Sequence, residues 1–279
     1  MRRSTENMSY ARGTSGNSTV KTAAKPTTAW IRLTPSSPAK MQDNMKQKSP
    51  FLAKRKELSD QLGKQEIYDV VDHWPLYVGI KTLARTVEIL DVFRSVADVE
   101  GDIAEFGSHK GSNLIYLAKL CQIYGLQGRK KIHCFESFEG LQNFKAEDGV
   151  QDGNQGKYQG NLQTLQKVID LFGYQNDIEI HQGFIEDTLP VFLNKNPDKK
   201  FSFLYYDADL YEPCKVMLDM LHDKLSVGGV FVFDEYGLEE WPGETQAVDE
   251  FIAASNGRFA VEKPAITARP GMVLRKLKD

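Results

Sequence analysis

The chain has 279 residues, 41% of them apolar and 26% charged, a profile that fits one α/β domain with an appendage and excludes collagen-like, coiled-coil and small disulfide-stapled classes. Its formal charge of −3 is uneven: the first fifty residues hold nine Lys/Arg against two Asp/Glu, or +7, so residues 51–279 carry −10. An acidic body binds duplex nucleic acid poorly, because non-specific affinity there comes from neutralised phosphates.

Residues 1–50 contain fourteen Ser/Thr and little apolar periodicity, too little burial to offset the entropy of ordering, and read as a disordered basic tail. The same composition is shared by organelle transit segments, so targeting stays open beside a cytoplasmic location. From residue 51 the character changes. Helices are predicted at 50 to about 62 and at 77 to about 93, the second with an apolar stripe of Ile80, Leu83, Ala84, Val87, Leu90 and Val92 near the 3.6-residue period. Between them Val70 to Pro75 forms a bulky loop, and Pro75 suits a helix entrance. Residues 51–100 are thus expected to be a helical cap or lid, and 101–279 the main domain.

The chain then alternates. Strands are predicted at 102–106, 131–135 and 178–181, with helices at 112–123 and 160–172 between them and a mobile surface loop at 146–159. A strand at 201–206 follows directly, then a helix at 212–225, a strand at 229–233, a helix at 244–254, and a terminal hairpin at 259–262 and 272–277. Strands apolar at nearly every position, separated by helices, predict a Rossmann-like open α/β sheet, mostly parallel, with a C-terminal antiparallel hairpin and helices on both faces. Cys121, Cys134 and Cys214 are odd in number and fall in or beside buried elements, as expected of reduced thiols used as small apolar groups. No run of about 18 apolar residues is present, so no membrane span is expected.

Candidate chemistry lies at the strand ends. The first strand runs into Glu105-Phe106-Gly107-Ser108-His109-Lys110-Gly111-Ser112, a G-x-x-x-G turn in place of the dinucleotide G-x-G-x-x-G and without the Lys-Ser/Thr of a P-loop. With Glu105 just before it, the turn suits a ligand bearing an ammonium group better than a phosphate. The second strand ends at Glu136-Ser137, where a carboxylate accepts both hydroxyls of a ribose. The third ends at Gly183-Phe184, room for an adenine with a ring to pack on it. The fourth and fifth end in Asp207-Ala208-Asp209-Leu210-Tyr211-Glu212 and Asp234-Glu235-Tyr236-Gly237. Crowded carboxylates repel unless a cation joins them, and an all-oxygen set favours Mg²⁺, Mn²⁺ or Ca²⁺ over Zn²⁺. Asp209 is also placed to cap the helix beginning near Glu212.

These blocks, with Gly101-Asp102-Ile103-Ala104 ahead of them, Ile185 to Pro190 after Phe184, and Leu225 to Gly229 before the last acidic pair, resemble the TylF-type macrocin O-methyltransferases. Those are class I S-adenosylmethionine-dependent enzymes of antibiotic-sugar and related natural-product pathways. The resemblance runs from about Tyr77 to Phe251. It implies S-adenosylmethionine as cofactor, with Glu105, Gly107, Ser108, Gly111 and Ser112 around its methionine part, Glu136 and Ser137 at the ribose, and Gly183 and Phe184 at the adenine. It further implies Mg²⁺ (or Mn²⁺) on Asp207, Asp234 and Glu235, with Glu235 standing where the family more often has Asp. Asp207 becomes a candidate base as well as a ligand. His73, with Trp74 and Tyr77, becomes a candidate cover over the acceptor, and His73 is carried as a candidate catalytic residue. The expected partner is a small hydroxylated acceptor such as a sugar, vicinal diol or phenol, with no nucleic acid or membrane, and the expected assembly a homodimer or higher homo-oligomer. A nicotinamide oxidoreductase or a metal-dependent hydrolase on the same sheet, and a non-catalytic scaffold of methyltransferase ancestry, are the competing readings.

Overall fold

In the computed structural model, which describes Glu57 and residues 71–279 except Asp152, α1 (Ile80–Val96) leads into β1 (Asp102–Phe106), α2 (Ser112–Ile123), β2 (Ile132–Glu136), α3 (Leu162–Phe172), β3 (Ile178–Gln182) and α4 (Ile185–Lys195). β4 (Phe201–Tyr206), α5 (Tyr211–Leu221), β5 (Leu225–Phe233), α6 (Pro242–Ala254), β6 (Phe259–Glu262) and β7 (Met272–Lys276) complete the order. The expected tail at 1–50 and, apart from the helical Glu57, the expected helix at 50 to 62 lie outside the described residues. Among the described residues no helix is long and apolar enough to cross a membrane.

The seven strands form one sheet in the order β3-β2-β1-β4-β5-β7-β6. β1 to β5 pair in parallel, whereas β7 runs antiparallel to β5 and to β6. Because successive strand residues face opposite sides, Ala104, Phe106, Phe135, Leu204, Tyr206, Phe231 and Phe233 join one apolar core with α4, α5 and α6. On the other side α1 buries Ile89, Val92, Phe93 and Val96, and the Phe93 ring stands 6.1 Å from Phe203 and 5.9 Å from Tyr124 beyond α2. The sheet is therefore covered on both faces, as expected. The strand order reverses between β1 and β4, which opens the crevice in which such sheets hold ligands. All three cysteines are buried thiols outside any disulfide.

Several local expectations differ from what is found. α1 begins at Ile80, not 77, because Trp74–Leu76 first makes a 3₁₀ turn containing Pro75 and Gly79 takes the N-cap position. α4 was not foreseen. It is a short helix with Pro190 inside it, a residue that removes an interior hydrogen bond and reads as a breaker. Its buried Ile185, Leu189, Phe192 and Leu193 nevertheless follow helical spacing, and their burial outweighs the proline.

The stretch at 146–159, read as a mobile surface loop, opens with a 3₁₀ turn at Ala146–Asp148 and is tied down at several points, among them Gly156 and Lys157 to Leu141 and Gln151 to Glu240. Asp148 is 1% exposed; its Oδ2 accepts from the Lys145 N–H and its Oδ1 from the Tyr211 N–H, both at 2.7 Å. The α5 cap is thus supplied from a distant segment. Asp209, expected to cap that helix, does not: Leu210 holds the N-cap position without a side-chain bond, and Asp209 takes a φ of 62° and lines the crevice instead. Replacing Asp148 with Ala strips the acceptor from two backbone N–H groups, and urea unfolding should show a loss of about 1–2 kcal/mol. Unchanged stability would mean that α5 is held by its apolar face alone.

Candidate active site

The exits of β1 and β4 approach each other so closely that a Cβ at Gly107 (φ 83°) would lie 2.1 Å from the Asp207 carbonyl oxygen. Only glycine allows that approach, and it brings Asp207 to the mouth of the crevice. Gly107, Glu136, Ser137, Gly183, Phe184 and Asp207 all line the opening, together with Tyr158 from the anchored loop. Glu105, Ser108, Gly111 and Ser112 form the layer behind it and are not among the lining residues. His73 is exposed in the turn before the 3₁₀ segment and does not line the crevice either.

The two carboxylates of the β1 and β2 ends have different surroundings. Glu136 Oε2 accepts from the His109 N–H at 2.7 Å and Oε1 from the Phe138 N–H at 2.8 Å, which pins the side chain and leaves further lone pairs facing the opening. Glu105, 1% exposed, accepts from Ser108 Oγ at 2.7 Å and Asn113 Nδ2 at 2.9 Å. Burial raises its pKa to about 7 although both hydrogen bonds favour the carboxylate. Asn113 Oδ1 is buried without a hydrogen-bond partner among the described residues, a polar surplus beside an acid that is close to neutral. A crevice with a pinned carboxylate, a glycine edge and an aromatic ring fits a cationic adenosine derivative.

The acidic cluster at the β4 and β5 ends is joined by two arginines. Arg85 of α1 donates from Nη2 to Asp207 Oδ2 at 2.9 Å and from Nε to Asp234 Oδ1 at 3.0 Å. Arg269, in the β6–β7 connection, donates from Nε to Asp234 Oδ2 at 2.8 Å and from Nη2 to both Asp234 and Glu235. The Tyr205 hydroxyl also donates to Asp234. The positive charge beside these groups comes from guanidiniums on segments that carried no signal in the sequence. A single Arg in an amphipathic helix and another in a hairpin loop look like ordinary surface charges.

Even so, two arginines do not neutralise the set. Burial, then the neighbouring Asp234, pushes Asp207 well above the usual carboxylate range against the pull of Arg85. Burial also raises Asp209 to about 7, with Arg269 opposing. Glu235 and the fully buried Glu244 are pushed up by burial and the surrounding aspartates. Glu244 Oε1 accepts from the Glu235 N–H at 3.0 Å, whereas Oε2 of Glu235 and Oε2 of Glu244 are buried without hydrogen-bond partners among the described residues. Asp207, Asp234 and Glu235 each offer an oxygen within 4.8 Å of the others. An all-oxygen set with an orphaned buried carboxylate oxygen fits a hard divalent ion, which would take over oxygens that Arg269 now holds.

Comparison with known proteins bears on this arrangement. The family model described as Macrocin-O-methyltransferase (TylF) matches residues 15–264. The 8-demethyl-8-(2,3-dimethoxy-alpha-L-rhamnosyl)-tetracenomycin-C 4'-O-methyltransferase of Streptomyces olivaceus is 25% identical over 203 residues, 68% of this chain and 72% of that protein. The demethyldecarbamoylnovobiocin O-methyltransferase of Streptomyces niveus is 27% identical over 213 residues, 70% of this chain and 75% of the relative. The crystal structure of a calicheamicin methyltransferase has the same fold, with a TM-score of 0.67 at 24% identity over 86% of this chain and 93% of the other.

The charge balance gives a direct test. Arg269→Ala should cost about 1–3 kcal/mol at neutral pH, less than the roughly 3–5 kcal/mol of a fully buried broken pair because the arginine is 46% exposed. Millimolar Mg²⁺ should then raise the melting temperature of the variant more than that of the native chain. An equal response in both proteins would show that Mg²⁺ and Arg269 do not share these oxygens.

Proposed function

The chain belongs to the TylF macrocin-O-methyltransferase family and is an O-methyltransferase that uses S-adenosylmethionine; from that premise we propose that the crevice over β1, β2 and β4 holds the cofactor and that Asp207, Asp234 and Glu235 hold Mg²⁺ or Mn²⁺ beside the acceptor hydroxyl. The observation that carries the reading is the convergence on one crevice of Glu136, pinned by backbone N–H groups, and Asp207, the outermost member of the acidic cluster. The acceptor is a small hydroxylated molecule of natural-product type, a sugar, vicinal diol or phenol. The rhamnosyl tetracenomycin and the demethyldecarbamoylnovobiocin named for the two relatives support that class.

When bound, S-adenosylmethionine supplies a methyl group on an electrophilic sulfonium, and a divalent ion supplies positive charge that makes a hydroxyl more acidic. The chain's part is to align and to move one proton. Glu136 accepts the ribose hydroxyls, Ser137 stands beside it, and Gly183 gives the adenine room against Phe184. Glu105, held by Ser108 and Asn113 in the layer behind the Gly107-to-Gly111 turn, supplies the negative charge that faces the ammonium of the methionine part, with Ser112 starting the helix behind. Asp207 offers Oδ1, the oxygen that stands 3.8 Å from Arg269 while Oδ2 is bound by Arg85, as the acceptor for the hydroxyl's proton once added positive charge at the cluster draws its raised pKa back down. Arg85 of α1 fixes Asp207 and Asp234 from the acceptor side, and the exposed His73, Trp74 and Tyr77 ahead of that helix stay candidates for a cover over the acceptor.

A second reading has one specific observation behind it. Arg85 and Arg269 already fill the acidic cluster, and in that case the guanidiniums are its only cations and the transfer runs by alignment and a general base alone. Chelation separates the two. On the metal reading, EDTA abolishes methyl transfer to a polyhydroxylated acceptor found by mass-shift screening, yet changes S-adenosylhomocysteine affinity by less than about threefold, and Asp207→Asn loses at least ~100-fold in rate. Full activity after exhaustive chelation selects the second reading.

The cofactor half has its own tests. Glu136→Ala should weaken S-adenosylhomocysteine binding by roughly 2–4 kcal/mol in calorimetry, since it unpairs two hydroxyls at a buried carboxylate; unchanged affinity would put the ribose elsewhere. Glu105, near 7 when the crevice is empty, is partly protonated at neutral pH, and pairing with an ammonium drives that proton off. Binding should therefore release protons at pH 7 and tighten as pH rises through that value, as read from calorimetry in buffers of different ionisation enthalpy. Glu105→Gln should remove the proton release, and its persistence in that variant would assign it to another group.

A further inference from the structure

Two of the chain's five histidines meet a glutamate on the opposite side of the sheet from Glu105 and Glu136. His133 lies in β2, and Glu179 and His181 lie in the neighbouring β3 at the sheet edge. His133 Nδ1 stands 3.2 Å from His181 Nε2 and 3.8 Å from a Glu179 oxygen, and His181 Nε2 is 3.9 Å from the other Glu179 oxygen. Two nitrogens bound to one tetrahedral Zn²⁺ at about 2.0–2.1 Å lie roughly 3.3 Å apart, close to the separation found.

The surroundings are arranged as metal sites require. His133 Nε2 faces Asp102 Oδ2 at 3.2 Å, and that same oxygen is ion-paired with Lys199 at 2.8 Å. Asp102 can only accept, so the His133 proton sits on Nε2 and its Nδ1 turns a lone pair toward His181. A carboxylate on the far nitrogen is the usual way in which a metal-binding imidazole is oriented and its tautomer fixed. His181 Nε2–H donates to that lone pair when no ion is present, and binding requires only that its proton move to Nδ1. The site is accessible: Glu179 is 48% exposed, and with His181, Asp187 and Thr188 it lines a surface cavity of about 250 Å³.

We propose that His133, Glu179 and His181 form a transition-metal site, taking Zn²⁺ in preference to Mg²⁺, that clips the edge strand β3 to β2. Two imidazoles and one carboxylate are borderline-soft donors, unlike the all-oxygen cluster at the β4 and β5 ends, so the two sites sort ions by ligand chemistry. A fourth position opens to the cavity for water. The clip lies two residues before Gly183, and its occupancy stiffens the edge strand that leads into the crevice wall.

The test uses the full, tag-free chain in excess Mg²⁺, with Zn²⁺ alone as titrant. Calorimetry should find one Zn²⁺ per chain that raises the melting temperature. Glu179→Gln, a change at an exposed side chain that leaves the fold intact, should weaken it at least tenfold, and His181→Ala should abolish it. Co²⁺ in the same position should give the intense visible bands of tetrahedral coordination, absent in His181→Ala. Native chain that takes up no Zn²⁺, or Zn²⁺ binding and Co²⁺ spectra identical in the native chain and in both variants, would overturn the proposal.

Discussion

Carboxylates gathered at the ends of two adjacent parallel strands cannot persist without positive charge, and the fold supplies it from both ends of the chain's described part. Arg85 arrives from the helix before the sheet and Arg269 from the hairpin that ends it, and both close on Asp234. The cluster therefore ties α1, β4, β5 and the β6–β7 connection to one point. Because a buried charge left without a partner is far more costly than an exposed one, these segments are held in register by electrostatics as well as by their apolar faces. The surplus acidity that remains, seen in the raised Asp207, Asp209, Glu235 and Glu244, is what the proposed divalent ion would relieve.

The proposed cofactor side of the crevice shows the same residue type put into two environments. Glu136 is satisfied by backbone N–H groups at a strand end and stays a hydrogen-bond acceptor. Glu105, one strand away and deeper, is raised to about 7 by burial, so that on the proposed reading a cationic ligand would shift it toward its charged form. Between them the glycine at the β1 exit admits the β4 exit, and so joins the Glu136 side of the crevice to the acidic half.

Much of this was legible in the sequence for a simple reason. Parallel strands buried on both faces are unbroken apolar runs, and the polar residues that end them stand out, which is how Glu105, Glu136, Asp207 and Asp234-Glu235 were found. Residues that reach the site from elsewhere have no such contrast. Arg85 lies 122 residues from Asp207 and 149 from Asp234, and nothing local distinguishes it from a solvated helix charge. Asp148 caps α5 from 63 residues away, and local reasoning gave that task to Asp209, the nearer acid. α4 was hidden by Pro190, whose local cost is visible in the sequence while the core that offsets it is not. Cross-strand pairs such as His133 with His181 depend on register, which only the folded sheet defines.

The central claim is that the acidic cluster is a cation site whose present occupants are arginines. Crystals grown with S-adenosylhomocysteine and Mn²⁺, measured for anomalous scattering, test it most directly. The account predicts an anomalous peak within coordination distance of Asp207, Asp234 and Glu235, with Arg269 withdrawn from Glu235 and the adenosine lying between Glu136 and Phe184. Arg269 still seated on Asp234 and Glu235, with no peak among the three carboxylates while the crevice holds S-adenosylhomocysteine, would contradict it.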